Sequence, residues 1–214
     1  MDEPSHVRAT RTAYDTVAVS YAELLASGLD AKPVDRALLG LFAELVQAAG
    51  AGPVADIGCG PGRVTAHLRG LGLDVFGIDV SAGMVAEARR RHPGLRFDEG
   101  SMSALDLPDG GLAGIVAWYS VIHTPPDELA LIFAELTRVL TPGGQLLLAF
   151  QAGDERVRLE HAYGHRIALD TYRLDPDRIA QLLSEAGLVV HSRMVREPAH
   201  LETVRQAFLL ARRP

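Results

Sequence analysis

The chain has 214 residues, 48% of them hydrophobic and 22% charged, which suits a single globular α/β domain with one sizeable core. Its 21 basic and 27 acidic side chains leave a net charge of -6 and a pI near 5.7, so the positive footprint that grips a phosphate backbone is missing and no nucleic-acid partner is expected. The sole cysteine, Cys59, excludes an intramolecular disulfide, no apolar stretch reaches 18 residues, and the first 12 residues are polar and charged, so a cytoplasmic protein without a membrane partner is expected.

From about residue 7 to 50 the pattern is helical, with Leu24, Leu25, Leu38, Leu39, Leu41, Phe42, Leu45 and Val46 at three-to-four spacing and Lys32-Pro33 breaking it in two. Residues 1–50 are therefore expected to form an N-terminal helical cap. The period then changes: apolar runs near 53–57, 73–78, 112–117 and 144–150 alternate with amphipathic segments near 62–70, 81–91 and 127–140. Such alternation predicts a parallel sheet with right-handed crossovers over a core at 51–150. Ser81 suits a helix cap, Pro126 a first helical turn, and Pro142-Gly143-Gly144 a turn into a strand. Residues 151–175 read as a polar, lid-like loop, and 176–186 as a helix stopped by Gly187. Two β-rich runs, 188–196 and 206–212, complete a segment at 176–214. No internal repeat or low-complexity linker divides the chain, so one domain is expected.

The segment Val54-Ala55-Asp56-Ile57-Gly58-Cys59-Gly60-Pro61-Gly62 carries the most information. An apolar run ending in an acid and three alternating glycines is what a strand needs to turn sharply into a helix with its backbone against a ligand. Asp79, ending the next apolar run 21 residues beyond Gly58, sits where a carboxylate accepts both hydroxyls of a ribose, which implies a nucleoside-containing cofactor. Its other reading is a helix-capping aspartate. A dinucleotide fingerprint would need a small residue where Arg63 stands; the pattern is D-x-G-x-G-x-G instead.

In this form the loop resembles motif I of the class I S-adenosylmethionine-dependent methyltransferases. The likeness continues, in family order, through Asp79-Val80-Ser81, Gly100-Ser101-Met102 and Leu140-Thr141-Pro142-Gly143-Gly144. The resemblance implies a Rossmann-like, doubly wound, mostly parallel seven-stranded sheet with an antiparallel last strand. It also implies S-adenosyl-L-methionine as cofactor, S-adenosyl-L-homocysteine as product, and in-line transfer of the methyl group to the oxygen or nitrogen of a small-molecule acceptor. Gly58, Cys59, Gly60 and Gly62 would then lie against the methionine and ribose, with Asp56 near the methionine end. Asp79 would take the ribose, and Val80 and Met84 the adenine. Ser101 and Met102 would stand near the adenine amino group, Ser101 replacing the usual acid. Cys59 is most simply a small apolar filler that tolerates serine or alanine.

Ala117 to Pro125 lies at the carboxyl end of the fourth strand, where doubly wound sheets place ligands. It lacks the Asn/Asp-Pro-Pro-Tyr/Phe signature of enzymes that methylate adenine or glutamine nitrogen, and no cysteine follows a proline as cytosine-carbon methylation needs. Trp118 is assigned to the donor, Tyr119 to the acceptor, and His123 to the acceptor and to the role of general base, against the alternative of a packing histidine. Tyr14 and Tyr21 resemble the Y-D-x-x-A-x-x-Y segment that closes the cap over the donor, although their seven-residue spacing also suits plain helix packing. Lys32, the only lysine, would pair with the donor carboxylate or sit in solvent. His161 and Tyr163 are placed on the acceptor side. His161 and His165 share i, i+4 spacing, but Gly164 interrupts and no third ligand is evident, so no metal is expected. A monomer or homodimer is expected. The rivals are an NAD(P)-dependent oxidoreductase, opposed by Arg63 and by the lack of a Tyr-x-x-x-Lys pair, and a non-catalytic S-adenosylmethionine-binding module.

Overall fold

Apolar runs without polar alternation become central strands, because a parallel strand covered by helices is buried on both faces. In the computed structural model, which describes residues 3–25, 29–199 and 202–214, these runs are β1 (Pro53–Ile57), β2 (Asp74–Asp79), β4 (Leu112–Trp118) and β5 (Leu140–Gln151). Every residue of β4 is buried. With β3 (Phe97–Glu99), β8 (Val189–Arg196) and β9 (Gln206–Arg212) they form a seven-stranded sheet in the order β3-β2-β1-β4-β5-β9-β8. The first five strands are parallel, and β9 runs antiparallel to both β5 and β8, so the expected antiparallel last strand is present and fills the place between its neighbours. No apolar run marked β3, although counting the run at 112–117 as the fourth strand implied it; of its three residues only Phe97 is buried, and nothing so short and acidic carries a period. Pro142-Gly143-Gly144 is not a separate turn but a break in register within β5, where the pairing jumps from Leu112–Leu140 to Gly114–Gln145.

Helices α3 (Arg63–Gly70), α4 (Ala82–Arg91), α5 (Leu129–Val139) and α6 (Pro176–Glu185) connect these strands. Ser81 caps α4 by accepting from the Met84 amide at 3.0 Å, and Asp175 caps α6.

The expected 1–50 cap divides into two elements with different duties. Helix α2 (Pro33–Ala48) lays Leu39, Phe42 and Val46 against Val54, Val116 and Leu147, so it is a covering helix of the sheet. Only α1 (Ser5–Leu24) crosses the carboxyl ends of the strands. Its buried stripe is small, Ala13, Val17, Ala18 and Ala22, and Leu24 points outward. Small side chains allow close approach to α4, where a Cβ on Gly83 would stand 3.2 Å from both Ala18 Cβ and Asp15 Cα. Asp15 Oδ1 accepts from Ser81 Oγ at 2.6 Å and from the Gly83 amide at 2.9 Å, and Arg11 Nε donates to Val80 O at 3.1 Å. Helix α1 is thereby bolted to the turn that follows β2.

The expected loop at 151–175 is instead an antiparallel hairpin, β6 (Glu155–Ala162) and β7 (His165–Arg173), joined by Tyr163 and Gly164 with φ of 54° and 81°. Two consecutive positive φ values make the tight turn whose twist suits a hairpin. The period-two alternation of Leu159, Ile167 and Leu169 with charged residues was present in the sequence, and those side chains pack with Ala13, Val17 and Met84 under α1. Among the described residues no helix is long and apolar enough to cross a membrane.

Candidate functional site

The turn after β1 is built by backbone. The amides of Gly58 and Cys59 both donate to Ile78 O, at 2.7 and 3.1 Å, tying the loop to β2. Gly58 has φ of 74°, and a Cβ there would lie 2.2 Å from Ser120 Cβ, so no other residue fits. Ser120 in turn donates to Ile57 O at 2.7 Å and locks the ends of β1 and β4 together. Gly62 caps α3 with φ of 81°, where a Cβ would strike the Phe97 ring at 2.7 Å. Asp79 Oδ2 accepts from the Gly60 amide at 2.8 Å and Oδ1 from the Ser81 amide at 2.9 Å. Two bonds leave a carboxylate with acceptor sites to spare, and burial pushes the Asp79 carboxyl up from its ordinary range, a cost that further donors would relieve.

Above these ends lies a cleft of about 770 Å³, its mouth included. Gly58, Gly60, Asp79 and Val80 reach it from the strand ends, Met84, Ser101 and Met102 from α4 and the segment after β3. Trp118, Tyr119 and His123 come from the end of β4 and the one-turn 3₁₀ helix Val121–His123; Tyr14 and Tyr21 come from α1. Tyr119 has φ of 57°, an uncommon strain for an aromatic residue, and its amide donates to Ala149 O at 2.8 Å. A smaller adjoining cavity of about 300 Å³ shares Tyr21, Gly58, Gly60 and Trp118 and adds Asp56, Cys59 and Arg63.

This smaller cavity holds Arg63, which sequence reasoning had not placed in the site, beside Asp56 and Trp118, which it had. Asp56 Oδ2 accepts from Thr65 at 2.7 Å, but Asp56 Oδ1, Arg63 Nη1 and Trp118 Nε1 are buried without partners. Burial pushes the Asp56 carboxyl up to about 7. A carboxylate, a guanidinium and an indole N–H, each with an atom left unpaired, suit an α-amino acid: the first takes an ammonium, the other two a carboxylate. Arg63 had counted only as an obstacle to a dinucleotide; its place one residue past the last glycine, in the first turn of α3, was the available signal. Lys32 has other partners, Glu202 at 3.2 Å and Asp35 at 4.0 Å.

Three predicted residues line neither cavity. Gly62 serves packing. His161 is exposed on β6 beside a break in register that turns the strand, and Tyr163 reaches the site only through an edge-on contact with Tyr21, centroids 4.9 Å apart. Cys59 packs on Phe97, Val85 and Ala88, and burial holds its thiol well above the usual range, as befits a filler.

His123 is engaged at both ring nitrogens. Nδ1 lies 3.0 Å from Asp170 O on β7, and a carbonyl only accepts, so Nδ1 carries the proton. Nε2 is then the basic nitrogen and accepts from the Tyr14 hydroxyl at 2.8 Å. Burial lowers the His123 pKa and raises that of Tyr14 well above its ordinary value, so both are neutral near pH 7. The tyrosine hydroxyl thus occupies the basic nitrogen of the histidine. Ser20 Oγ, 3.0 Å from His165 Nε2, gives α1 a second attachment to the hairpin. Among the described residues no group of three His, Cys, Asp or Glu side chains is placed to hold a metal ion.

Residues 54–144 match the methyltransferase domain family. The chain is 34% identical over 111 residues to a demethylmenaquinone methyltransferase from Beutenbergia cavernae, covering 52% of this chain and 45% of the relative. It is 37% identical over 120 residues to a trans-aconitate 2-methyltransferase from Methylobacterium nodulans, covering 54% and 43%. The chain thus spans less than half the length of these relatives. Among solved structures, a magnesium protoporphyrin IX methyltransferase from Synechocystis with bound S-adenosylmethionine superposes with a TM-score of 0.74 at 18% identity, over 100% of both chains.

Proposed function

From the premise that residues 54–144 match the methyltransferase domain family, we propose that the chain is a class I S-adenosylmethionine-dependent methyltransferase, which binds its donor across the two adjoining cavities and methylates a small molecule. The observation that carries this reading is the trio of unpaired buried groups, Asp56 Oδ1, Arg63 Nη1 and Trp118 Nε1, beside a glycine loop whose carboxylate Asp79 retains acceptor sites. The donor's amino acid end suits the trio, and its ribose suits Asp79. Val80, Met84, Ser101 and Met102 supply the surface for the adenine. When bound, the donor supplies an electrophilic methyl carbon on a sulfonium.

The chain's own contribution is to align, dehydrate and deprotonate. The α1 helix and the β6–β7 hairpin cover the strand ends, which keeps competing water from the methyl group. Tyr14 faces the cleft with His123 Nε2 behind it, so a proton leaving the acceptor passes to the tyrosine oxygen while the tyrosine's own proton passes to the imidazole. Compact pockets and a neutral base favour a metabolite-sized acceptor over a macromolecule.

The test is calorimetric titration with S-adenosylhomocysteine, run beside NADH. Micromolar binding of the former and none of the latter is expected; failure of the folded protein to bind S-adenosylhomocysteine overturns the reading, and preference for NADH restores the oxidoreductase. Binding without turnover of any tested acceptor would favour the non-catalytic module.

A further inference from the structure

Among the described residues, no lysine or arginine lines the cleft. Among the residues lining it, Asp79 carries the formal charge; His123 is neutral, and His6 faces Glu128 across 3.3 Å. The guanidinium groups nearby look elsewhere: Arg11 is spent on Val80 O and Glu3, and Arg63 lines the adjoining cavity with Asp56. An anionic acceptor would therefore be stripped of water without a cation supplied by the protein, which is costly.

The donor's positive charge does not repair this. S-adenosylmethionine carries one net positive charge; with Arg63 it is matched by the two carboxylates Asp56 and Asp79, so the loaded site is already neutral. A neutral acceptor preserves that balance, whereas a carboxylate leaves one buried negative charge uncompensated. Methyl transfer conserves the net charge, and with a neutral hydroxyl acceptor the positive charge leaves sulfur and is carried by the acceptor's departing proton. The acceptor's O–H bond breaks and its oxygen bonds the methyl carbon. The carbon–sulfur bond breaks with its electron pair on sulfur, and the proton ends on His123 Nε2 by way of Tyr14. The positive charge lost at sulfur reappears on the imidazolium. A carboxylate has no proton to return.

We propose, on the strength of the methyltransferase reading above, that the acceptor is an uncharged molecule bearing an acidic hydroxyl, a phenol or an enol, and that the cleft rejects carboxylates of the same size. An amine that arrives protonated would add a positive charge to a neutral site. An aliphatic alcohol holds its proton too tightly for an imidazole, whereas a phenol, at about 10, is closer in reach.

The experiment is calorimetry on the protein saturated with S-adenosylhomocysteine, with 2-naphthol and 2-naphthoate as probes that share a ring system and differ in charge. Binding of 2-naphthol at least tenfold tighter than 2-naphthoate is expected. Thr10→Arg, which puts a cation on the cleft wall, is expected to raise 2-naphthoate affinity about tenfold and shrink the preference. Equal or tighter binding of 2-naphthoate to the unaltered protein overturns the proposal, as does binding of neither probe, or no gain for 2-naphthoate in Thr10→Arg that still binds S-adenosylhomocysteine. If S-adenosylhomocysteine itself fails to bind, the methyltransferase reading falls first and this inference with it; if it binds and 2-naphthoate is preferred, only the acceptor class is wrong.

Discussion

The two sides of the cleft are made in different ways. The glycine-loop side is held by backbone amides over a short stretch: Gly58 and Cys59 on Ile78 O, Gly60 and Ser81 on Asp79. The cap side is held by side chains that meet across the chain, Tyr14 with His123 over 109 residues and Ser20 with His165 over 145. Backbone geometry tolerates few residue types and so leaves a local signature, whereas side-chain meetings depend on packing and leave almost none. The first side is a fixed socket; the second is a wall whose chemistry can change without disturbing the fold.

The largest effect should come from the cap. His123→Ala is expected to slow turnover by about 10²–10⁴-fold while donor affinity stays within twofold, and Tyr14→Phe should fall in the same direction. Burial lowers the His123 pKa, so the base is free at neutral pH and the rate should fall only on acidification below its ordinary value of about 6.5. Pre-steady-state rates across pH decide this, and an unchanged rate in His123→Ala removes the base. On the socket side, Gly58→Ala is expected to cost about 2–4 kcal/mol of stability, because the new methyl group meets Ser120 in a left-handed backbone. Chemical denaturation measures it; a loss below about 1 kcal/mol would mean that the turn is more forgiving than its geometry.

Smaller and sharper is Arg63→Ala, expected to weaken S-adenosylhomocysteine about 10–100-fold with the fold intact, while Lys32→Ala leaves it unchanged. Because the Asp56 carboxyl is pushed up to about 7, its ionised fraction rises as pH rises through that value. An ammonium prefers the ionised form, so donor affinity should climb about threefold to tenfold between roughly pH 6 and 7.5, and Asp56→Asn should flatten the climb. Titration at several pH values checks both; a pH-independent affinity in the unaltered protein would detach Asp56 from the ammonium.

The legibility of the chain follows the same division. The central strands β1, β2, β4 and β5 were readable because burial on both faces leaves unbroken apolar runs, and the glycine loop because a tight turn against a ligand restricts residue type. Strand β3 was not, being three residues held in place by its neighbours. The β6–β7 hairpin was misread as a loop because charged residues on its outer face hid the alternating inner set, Leu159, Ile167 and Leu169, and because its turn uses Tyr163-Gly164 rather than the commoner Asn-Gly. The pairing of Tyr14 with His123 was invisible: both residues were singled out, but nothing in their neighbourhoods said that they touch. Arg63 was visible and rightly counted against a dinucleotide, but the unpaired Asp56 and Trp118 atoms that share its cavity could not be read from the sequence.

Tyr14 and Asp15 are consecutive residues of α1, one bonded to the imidazole and the other to the turn after β2. Neighbours on a helix move as one piece, so any shift of α1 that loosens its hold on the nucleoside turn also pulls the phenol away from His123. Under the proposed function, readiness to receive the donor and readiness to remove the acceptor's proton would therefore rise and fall together, and an enzyme whose donor turn is slack would have no assembled base with which to waste a methyl group on water.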